Sequence, residues 1–482
     1  MPLWIGVVVY ALLILLGPNL LNDPDTYSHI ALGRWMLANQ AVPFTDPFTH
    51  TASGEHWVAF EWLSQVVFAA AHALGGWPAV IMLAAAAVAL SLGLLARFLL
   101  RELAPLPTLI LVTAAFVLMA PHLLARPHVL AFPLMVVWVG ALVRAVDRGE
   151  EPPFRLLPLM VLWANLHGSF TLGLAIVLPI AAEAVWCAPA AARKMVARQW
   201  LLFAVLAAAA GCITPYGPEL MVVTYRTVAL GQALLIITEW RPQDFSRFSP
   251  FEMLMLAGFG YVLYRRIALP PLRILMLLGL LHLALAQSRH ADVLALLAPL
   301  FLTRPLAREF GSDFIANGLA AHNHMRSIAV AGLLIAVAST TAVIRPPAPA
   351  ARITPAAAVA TADLRNAGAI LNDYDFGGYL DFVGIAPFID GRTELYGRAF
   401  TLRYQRATTL QDLPDFLALL REYRIEATLL APETPAVAVL DRLPDWERIY
   451  TDEIAVVHAR RNKTLGTGRS PATSTPRASI ND

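Results

Sequence analysis

Residues 3–30 read LWIGVVVYALLILLGPNLLNDPDTYSHI, an uncharged apolar run that ends in a segment with two aspartates and a histidine. The run 3–21 is long enough to cross a bilayer, because about 20 apolar residues span a hydrocarbon core of roughly 30 Å as a helix. No basic residue precedes it and no small-residue cleavage site separates it from Asn22. We therefore expect an uncleaved first membrane helix followed by an acidic loop.

The composition of the whole chain agrees with a membrane location. Of 482 residues, 58% are hydrophobic and 15% are charged, and the mean hydropathy is +0.60. An ordinary soluble domain has about 25% charged residues. The net charge of +2 gives no electrostatic case for a nucleic-acid partner.

Further apolar runs predict about eleven transmembrane helices in total. The fold class is therefore an all-α polytopic membrane protein, with a transmembrane domain over residues 1–344. The predicted spans are 3–21, 77–97, 106–122, 128–146, 154–167, 168–187, 199–213, 250–266, 271–288, 290–304 and 326–344.

The apolar stretch 60–74 is predicted to be a helix on the outer membrane surface. If it spanned, it would place Arg97 and Arg101 outside and invert every later loop. Left on the surface, it lets most Arg and Lys residues of the loops fall on the cytoplasmic side, as the positive-inside rule requires. The N-terminus is then cytoplasmic and the chain beyond the last span is extracytoplasmic.

Two regions outside the membrane stand out. The first is the loop 22–76. The second begins with a Pro/Ala-rich linker, 345–357, of the semi-rigid kind. Residues 358–463 then predict a small α/β domain, with a helix at 412–423 and strands at 426–431, 446–452 and 454–460. Asp390-Gly391-Arg392 is predicted to form a turn with a local ion pair, and the tail 464–482 is predicted to be disordered.

Ionisable and polar side chains gather at the outer ends of the predicted helices, where burial near lipid is costly and indicates function. In chemical terms, carboxylates can activate a hydroxyl group while Arg and His side chains hold a phosphate. These side chains are Asp23, Asp25, His29 and Glu61 of the first loop, then Arg126, His128, Asn165, His167, Arg289, His290 and Asp292.

Each of these side chains also has a structural interpretation. Asp23 could cap the helix that starts near Thr26, and Arg126 or Arg289 could extend toward lipid headgroups. His167 could form a hydrogen bond between two helices, and Glu61 could anchor the chain at the interface. Asp23 and Asp25 could instead bind a divalent metal through oxygen ligands.

Several segments resemble a known superfamily. Residues 23–27 (DPDTY), with Ala31 and Val42-Pro43, resemble the GT-C membrane glycosyltransferases. The branch is the bacterial one with rhizobial lipopolysaccharide sugar transferases, aminoarabinose transferases and protein mannosyltransferases. A surface helix before the second span and an Arg after the third match 60–74 and Arg126. A wider group of bacterial membrane proteins with a GT-C-like core has phrases similar to ARPHVLAF (125–132), WANLHGSF (163–170), TEWRPQDF (238–245), NDYDFGGYL (372–380) and FIDGRTELYG (388–397).

The resemblance implies an enzyme that moves a sugar from a polyprenyl-phosphate donor to a lipid, glycan or protein acceptor, with inversion, in the bacterial inner membrane. An acid in the first outer loop would be the base, here Asp25 or Asp23, and Pro24 between them leaves open which one. Residues predicted to hold the donor phosphate are Arg126, Arg289, His290, His167 and His128. Residues predicted to support the acceptor or the loop are His29, Glu61 and Asn165. Apart from the resemblance, the residues require no cofactor, but if a divalent metal such as Mg²⁺ or Mn²⁺ is bound, Asp23 and Asp25 could hold it.

Two other classes of function stay open from the sequence. A transporter would be expected to show internal repeats and polar groups at the middle of its spans. Here no repeat is evident and the polar groups lie at the outer helix ends. A non-catalytic partner in the assembly or export of envelope polysaccharide would tolerate substitution of the outer Asp and Arg residues.

Overall fold

The computed structural model describes residues 1–231, 238–310 and 324–461. The predicted tail 464–482 lies outside the described residues. The chain forms two compact units. Unit 1 comprises Met1–Pro47, Gly54–Ala350 and Arg392–Thr401, and unit 2 comprises Phe48–Ser53, Ala351–Gly391 and Leu402–Asp482.

Helices account for nearly all the regular structure of the long N-terminal part. They are α1 (Pro2–Leu15), α2 (Gly17–Leu20), α3 (Asp25–Asn39), α4 (Trp62–Leu99), α5 (Pro105–Met119), α6 (Pro127–Arg148), α7 (Leu157–Leu166), α8 (Phe170–Cys187), α9 (Arg193–Gly211), α10 (Glu219–Ala229), α11 (Pro250–Tyr264), α12 (Pro271–Ala286), α13 (Ala291–Phe310) and α14 (His324–Ile344). Short 3-10 turns precede α7 at Phe154–Leu156 and α13 at Ser288–His290, another follows α5 at Ala120–His122, and one lies in a loop at Thr238–Trp240.

Seven helical segments within the described residues are long and apolar enough to cross a membrane, and four shorter apolar helices accompany them. Every predicted span falls on one of these segments, so the prediction of a polytopic helical membrane protein is confirmed. The number of helices that cross stays a prediction. The long segments are Trp62–Leu99, Pro105–His122, Pro127–Arg148, Phe170–Cys187, Arg193–Gly211, Ser288–Glu309 and Met325–Ile344, and the shorter ones are Pro2–Leu15, Phe154–Leu166, Pro250–Tyr264 and Pro271–Ala286.

The outward faces of these helices are apolar. Large side chains such as Leu109, Ile110, Leu201 and Leu333 are exposed along α5, α9 and α14. A soluble protein rarely leaves so many exposed apolar side chains in contiguous patches. Helices satisfy their own backbone hydrogen bonds, so such faces are stable against lipid.

Helix α4 is the central helix of unit 1 and packs against α1, α3 and α6. Its run of small residues, LAAAAVALSLG at 83–93, lets neighbouring backbones come close. The crossing with α3 is so tight that a Cβ added at Gly33 would lie 2.0 Å from the Gln65 carbonyl oxygen. The helix is broken at Gly75 and Gly76, the second with φ of 62°. The break separates the predicted surface helix, 60–74, from the predicted span 77–97.

Unit 2 contains a four-stranded sheet in the order β1-β2-β4-β3. Its strands are β1 (Ile370–Asn372), β2 (Ala427–Leu430), β3 (Trp446–Thr451) and β4 (Val456–Arg460). β1 and β2 are parallel, and the other pairs are antiparallel. The helices that follow residue 350 are α15 (Ala356–Thr361), α16 (Gly377–Val383), α17 (Thr393–Thr408, broken at Gly397), α18 (Leu413–Glu422) and α19 (Pro435–Leu440). The three strands and the helix predicted from the sequence correspond to β2, β3, β4 and α18.

Each unit includes a segment that is distant in sequence. Within unit 2, Thr51 Oγ1 of the first loop donates to the Phe388 carbonyl at 2.6 Å. Within unit 1, Arg392 donates to Asp46 Oδ1 at 2.7 Å, and both side chains are buried. Arg392 also lies over the Trp57 ring, with Cζ 4.9 Å from its centroid. The ion pair that was predicted to be local thus includes a partner 346 residues away.

Candidate active site

A largely buried guanidinium in unit 1 binds two carboxylates of the first loop and a third from residue 239. Arg126 Nη1 lies 3.2 Å from Asp23 Oδ2 and 2.6 Å from Glu239 Oε1, and its Nη2 pairs with Asp25 Oδ2. Arg289 Nη1 is 3.3 Å from the same Glu239 oxygen. We call Arg126, Asp23, Asp25, Glu239 and Arg289 the Arg126 cluster. Seven residues were predicted to be the base or to hold the donor phosphate. Four of them, Asp23, Asp25, Arg126 and Arg289, lie together in this cluster.

Local geometry explains how the two aspartates reach one arginine. The backbone N–H of Asp25 donates to Asp23 Oδ1 at 2.8 Å, which closes a turn around Pro24 just where α3 begins. The segment before α6 lies alongside, because Thr26 Oγ1 donates to the Ala125 carbonyl at 3.2 Å. Asp23 therefore satisfies a backbone N–H at the start of a helix with one oxygen and binds Arg126 with the other.

Arg289 and Glu239 are held by the loop before α11. Ser288 Oγ donates to the Glu239 carbonyl at 3.1 Å. The Arg289 guanidinium lies over the Trp240 ring, 4.6 Å from the centroid. Glu239 was not among the predicted site residues. The phrase TEWRPQDF, which contains it, was the available signal, but nothing in its spacing assigns the glutamate to this site.

Burial and charge separate the carboxylates of the cluster. Burial raises the pKa of Asp23 to about 7, aided by the charges of Asp25 and Glu239 and opposed by Arg126. Burial would also raise the pKa of Glu239, but Arg126 and Arg289 lower it below its ordinary value. Burial lowers the pKa of Arg126 less than the carboxylates raise it, so this guanidinium stays charged. Asp23 can therefore gain and lose a proton near neutral pH.

A second group of polar side chains surrounds Glu61, just before α4. His167 Nε2 lies 3.2 Å from Glu61 Oε1, and His29 Nε2 lies 3.8 Å from Glu61 Oε2. Gln65 Nε2 lies 3.4 Å from His29 Nδ1. We call these four residues the Glu61 cluster. Burial raises the pKa of Glu61 to about 8 and lowers the pKa of His29 well below the ordinary value.

The other predicted residues lie around these two clusters. The ring of His128 is 6.3 Å from the ring of His167, centroid to centroid, and its Nε2 is 4.0 Å from Asp292 Oδ2. His290 is buried in the turn next to Arg289, and its Nδ1 has no hydrogen-bond partner among the described residues. The structure does not bring His128 or His290 into the set of ion pairs around Arg126.

Asn165 occupies a joint between helices. Its Oδ1 accepts from Trp62 Nε1 at 2.8 Å, and its Nδ2 donates to the Ile213 carbonyl at 2.9 Å. These bonds fix the start of α4 against the ends of α7 and α9. The arrangement agrees with the predicted support of the loop, and an acceptor contact stays a prediction.

No three His, Cys, Asp or Glu side chains in the described part of the chain come together as metal ligands. Asp23 and Asp25, the predicted ligands, both bind Arg126 instead. A cation on these carboxylates would have to lie beside or replace a buried guanidinium. The arrangement shown here therefore does not fit a metal site.

Solved structures of membrane enzymes share this fold. The archaeal oligosaccharyltransferase AglB from Archaeoglobus fulgidus, in complex with an inhibitory peptide and a dolichol-phosphate, has a TM-score of 0.55 at 12% identity. The match covers 89% of this chain and 69% of that one. The Archaeoglobus fulgidus oligosaccharyltransferase in complex with Zn and sulfate gives a TM-score of 0.53 at 13% identity, with 89% and 68% covered.

A third structure matches over nearly its full length. ArnT from Cupriavidus metallidurans, bound to undecaprenyl phosphate, has a TM-score of 0.50 at 15% identity, and the match covers 96% of this chain and 98% of ArnT. No protein-family model and no curated protein matches the sequence. Identities this low carry the fold and not the activity. The chain is thus a helical membrane protein that shares the fold of these enzymes, in agreement with the resemblance of its sequence motifs.

Proposed function

We propose that the protein is a membrane glycosyltransferase that moves a sugar from a polyprenyl-phosphate donor to an extracytoplasmic acceptor with inversion. The observation that carries the proposal is the Arg126 cluster, in which a guanidinium meets carboxylates from the first loop and from residue 239. The donor class follows from the similar structures, one with a dolichol-phosphate and one with undecaprenyl phosphate. The acceptor, whether lipid, glycan or protein, is not specified by the cluster.

We assign the role of base to Asp23 rather than Asp25. A base works best when its pKa lies near the operating pH, and the pKa of Asp23 is raised to about 7. The Asp23 carboxylate would accept the proton of the acceptor hydroxyl group. Asp25, paired with Arg126 and located at the start of α3, would keep the guanidinium in position.

The transfer itself is a single displacement. The acceptor oxygen attacks the anomeric carbon from the face opposite the phosphate, the bond from that carbon to the phosphate oxygen breaks, and the electron pair leaves with the phosphate. Arg126 and Arg289 would stabilise the charge of the departing polyprenyl phosphate. Arg289 is suited to this, because its Nη1 lies 3.3 Å from Glu239, a longer ion pair than that of Arg126, and a fork of donors can bind phosphate oxygens.

The orientation in the membrane is part of the same proposal. With the N-terminus in the cytoplasm of a bacterial cell, the Arg126 cluster would lie at the outer face of the inner membrane. The basic loops support this orientation, because residues such as Arg97, Arg101, Arg193 and Lys194 would then be cytoplasmic. Reporter fusions or cysteine labelling at Cys187 and at an added cysteine near Glu55 would test the two sides.

A requirement for Mg²⁺ or Mn²⁺ stays a prediction, and we derive no step through a metal. The fit described above argues against two aspartates as its ligands in this state, since both bind Arg126. Turnover in EDTA, followed by addition of Mg²⁺ or Mn²⁺, measures the requirement directly.

The central test is the consumption of a lipid-linked sugar in membranes that contain Asp23→Asn or Asp25→Asn. Loss of a general base lowers turnover by about 10² to 10⁴-fold, and we expect this for Asp23→Asn. Glu55→Gln, at an exposed acid of the same loop, is the matched control. Full turnover in both aspartate variants would end the assignment and would favour a non-catalytic partner or a transporter.

A further inference from the structure

The orientation of the Gln65 amide assigns the position of the ring proton of His29. The Gln65 amide nitrogen can only donate, and it lies 3.4 Å from His29 Nδ1. Nδ1 is therefore the acceptor, and Nε2 carries the proton of the neutral ring. Since burial keeps this imidazole neutral, Nε2–H is a single donor with a defined direction.

That donor has no hydrogen-bond partner among the described residues. His29 is 9% exposed, and its Nε2 is buried. The nearest carboxylate oxygen, Glu61 Oε2, lies 3.8 Å away, which is too far for a hydrogen bond. The side-chain oxygen of Gln65, Oε1, is also buried and has no hydrogen-bond partner in the described structure. Unpaired buried polar atoms are costly, and several at one place need an explanation.

The other oxygen of Glu61 is already engaged. The backbone N–H of Ser169 donates to His167 Nδ1 at 3.0 Å, so His167 also carries its proton on Nε2. His167 Nε2–H then donates to Glu61 Oε1 at 3.2 Å. This leaves Oε2 facing the His29 donor across a gap that a single oxygen atom, about 2.8 Å from each, would bridge.

A hydroxyl group fits this gap, because it accepts one hydrogen bond and donates another. We propose that His29 and Glu61 bind a hydroxyl group of the sugar on the lipid-linked donor, with His29 Nε2–H donating to it and Glu61 Oε2 as its second partner. His167 and Gln65 are positioning residues that orient these two side chains. The inference rests on the proposed function, and it adds a sugar subsite to the phosphate-binding cations.

The donor sugar is the closest source of hydroxyl groups. The charges of Arg126 and Arg289 both act on Glu61, so the Glu61 cluster lies near the guanidinium groups that would hold the phosphate. In a glycosyl phosphate the sugar ring is bonded directly to that phosphate. A group beside the phosphate site therefore meets the sugar before it meets the lipid chain.

The test compares a carrier with and without its sugar. Full-length protein in lipid nanodiscs is titrated with undecaprenyl phosphate, and with undecaprenyl phosphate that bears glucose, galactose, mannose or N-acetylglucosamine. We expect one sugar to bind about tenfold or more tightly than the bare carrier, the gain from one or two well-made hydrogen bonds. We expect His29→Ala and Glu61→Ala to lose this gain while their affinity for the bare carrier stays within about twofold.

Unchanged binding of the bare carrier also shows that each variant is folded. His56→Ala and Glu55→Ala, at exposed positions of the same loop, are the matched controls and should keep the full gain. If the alanine variants do not fold, Glu61→Gln and His29→Gln take their place, and each should lose at least half of the tenfold gain.

Two results would overturn the subsite. One is a wild-type protein that binds none of the four sugars more tightly than the bare carrier. The other is a gain that persists in both the His29 and Glu61 variants, which would also move these residues to the acceptor side. Failure of the wild-type protein to bind undecaprenyl phosphate at all is a different result, and it contradicts the proposed function itself.

Discussion

Arg126 and Arg273 each bind carboxylates, at opposite ends of the helix bundle. The two groups of side chains around them differ in their balance of charge. Arg126 and Arg289 lie just before α6 and α13, whereas Asp147 and Arg304 lie near the ends of these helices. At the far end, Arg273 binds Glu183 at 2.8 Å and Asp147 at 2.5 Å, and Arg304 lies 3.5 Å from Asp147. We call these four residues the Arg273 cluster.

The charges of the Arg273 cluster are balanced, with two cations for two carboxylates. Arg273 also donates to the Phe301 carbonyl at 3.3 Å and is 3% exposed. The Arg126 cluster has two cations for three carboxylates, and Glu61 lies nearby. A balanced buried network holds helices together, whereas an excess of buried carboxylates forces one of them to take up a proton. This difference supports the proposal that the Arg126 cluster, and not the Arg273 cluster, is the catalytic end.

Among the tests of this comparison, the largest expected effect is that of Arg126→Gln on turnover. Loss of a donor that stabilises a departing anion lowers turnover by about 10² to 10³-fold, and we expect this for each folded molecule in a donor-consumption assay. Arg247→Gln, at an exposed arginine of a neighbouring loop, is the control. A variant that is less stable but turns over normally would make the two clusters equivalent.

The next effect concerns stability and falls on the other cluster. Arg273→Met removes one partner of a buried ion pair and leaves Glu183 with an uncompensated charge, which costs about 3–5 kcal/mol. We expect a lower unfolding temperature in detergent together with normal turnover of the molecules that remain folded. Arg308→Met, on the exposed side of α13, should change neither. Turnover that falls in parallel with Arg126→Gln would contradict a purely structural role.

The smallest effect is a shift along the pH axis. Asp23 acts as a base only when deprotonated, and its pKa is raised to about 7. The value of kcat/KM should therefore rise about tenfold per pH unit below neutral pH and level off above it. The charge of Glu239 contributes to the raised pKa, so Glu239→Gln should move this limb to lower pH. Arg273→Met should not shift the acid side of the kcat/KM profile. A profile that shifts in neither variant would exclude Asp23 as the group that titrates.

The parts of the fold that follow from the sequence are those with a strong local signal. Apolar runs locate the helices because lipid tolerates little else, and Gly75 with Gly76 marks the break in α4. The meeting of Asp23, Asp25 and Arg126 could be predicted, since charged groups at the ends of membrane helices tend to pair with one another.

Pairs far apart in sequence gave no such signal. Glu239 lies in an irregular loop, where no periodicity indicates which way a side chain points. The sequence predicted a pair for Arg392 within its own turn, and it gave no sign of the bond to Asp46 of the first loop. The Glu61 cluster depends on hydrogen-bond directions around His29 and His167 that only coordinates reveal. Helices, breaks and turns can be predicted from the sequence, whereas the partners of residues far apart in sequence cannot.

The bond between Asp46 and Arg392 also imposes an order in time. These residues are 346 positions apart, and a ribosome that adds about 5–20 residues per second needs roughly 20 to 70 s to cover that distance. During this interval the nascent first loop holds its acids without the arginine that will bury Asp46. Maturation of unit 1 thus waits for the last quarter of the polypeptide, and a chain released early at the Pro/Ala linker would be unable to complete it.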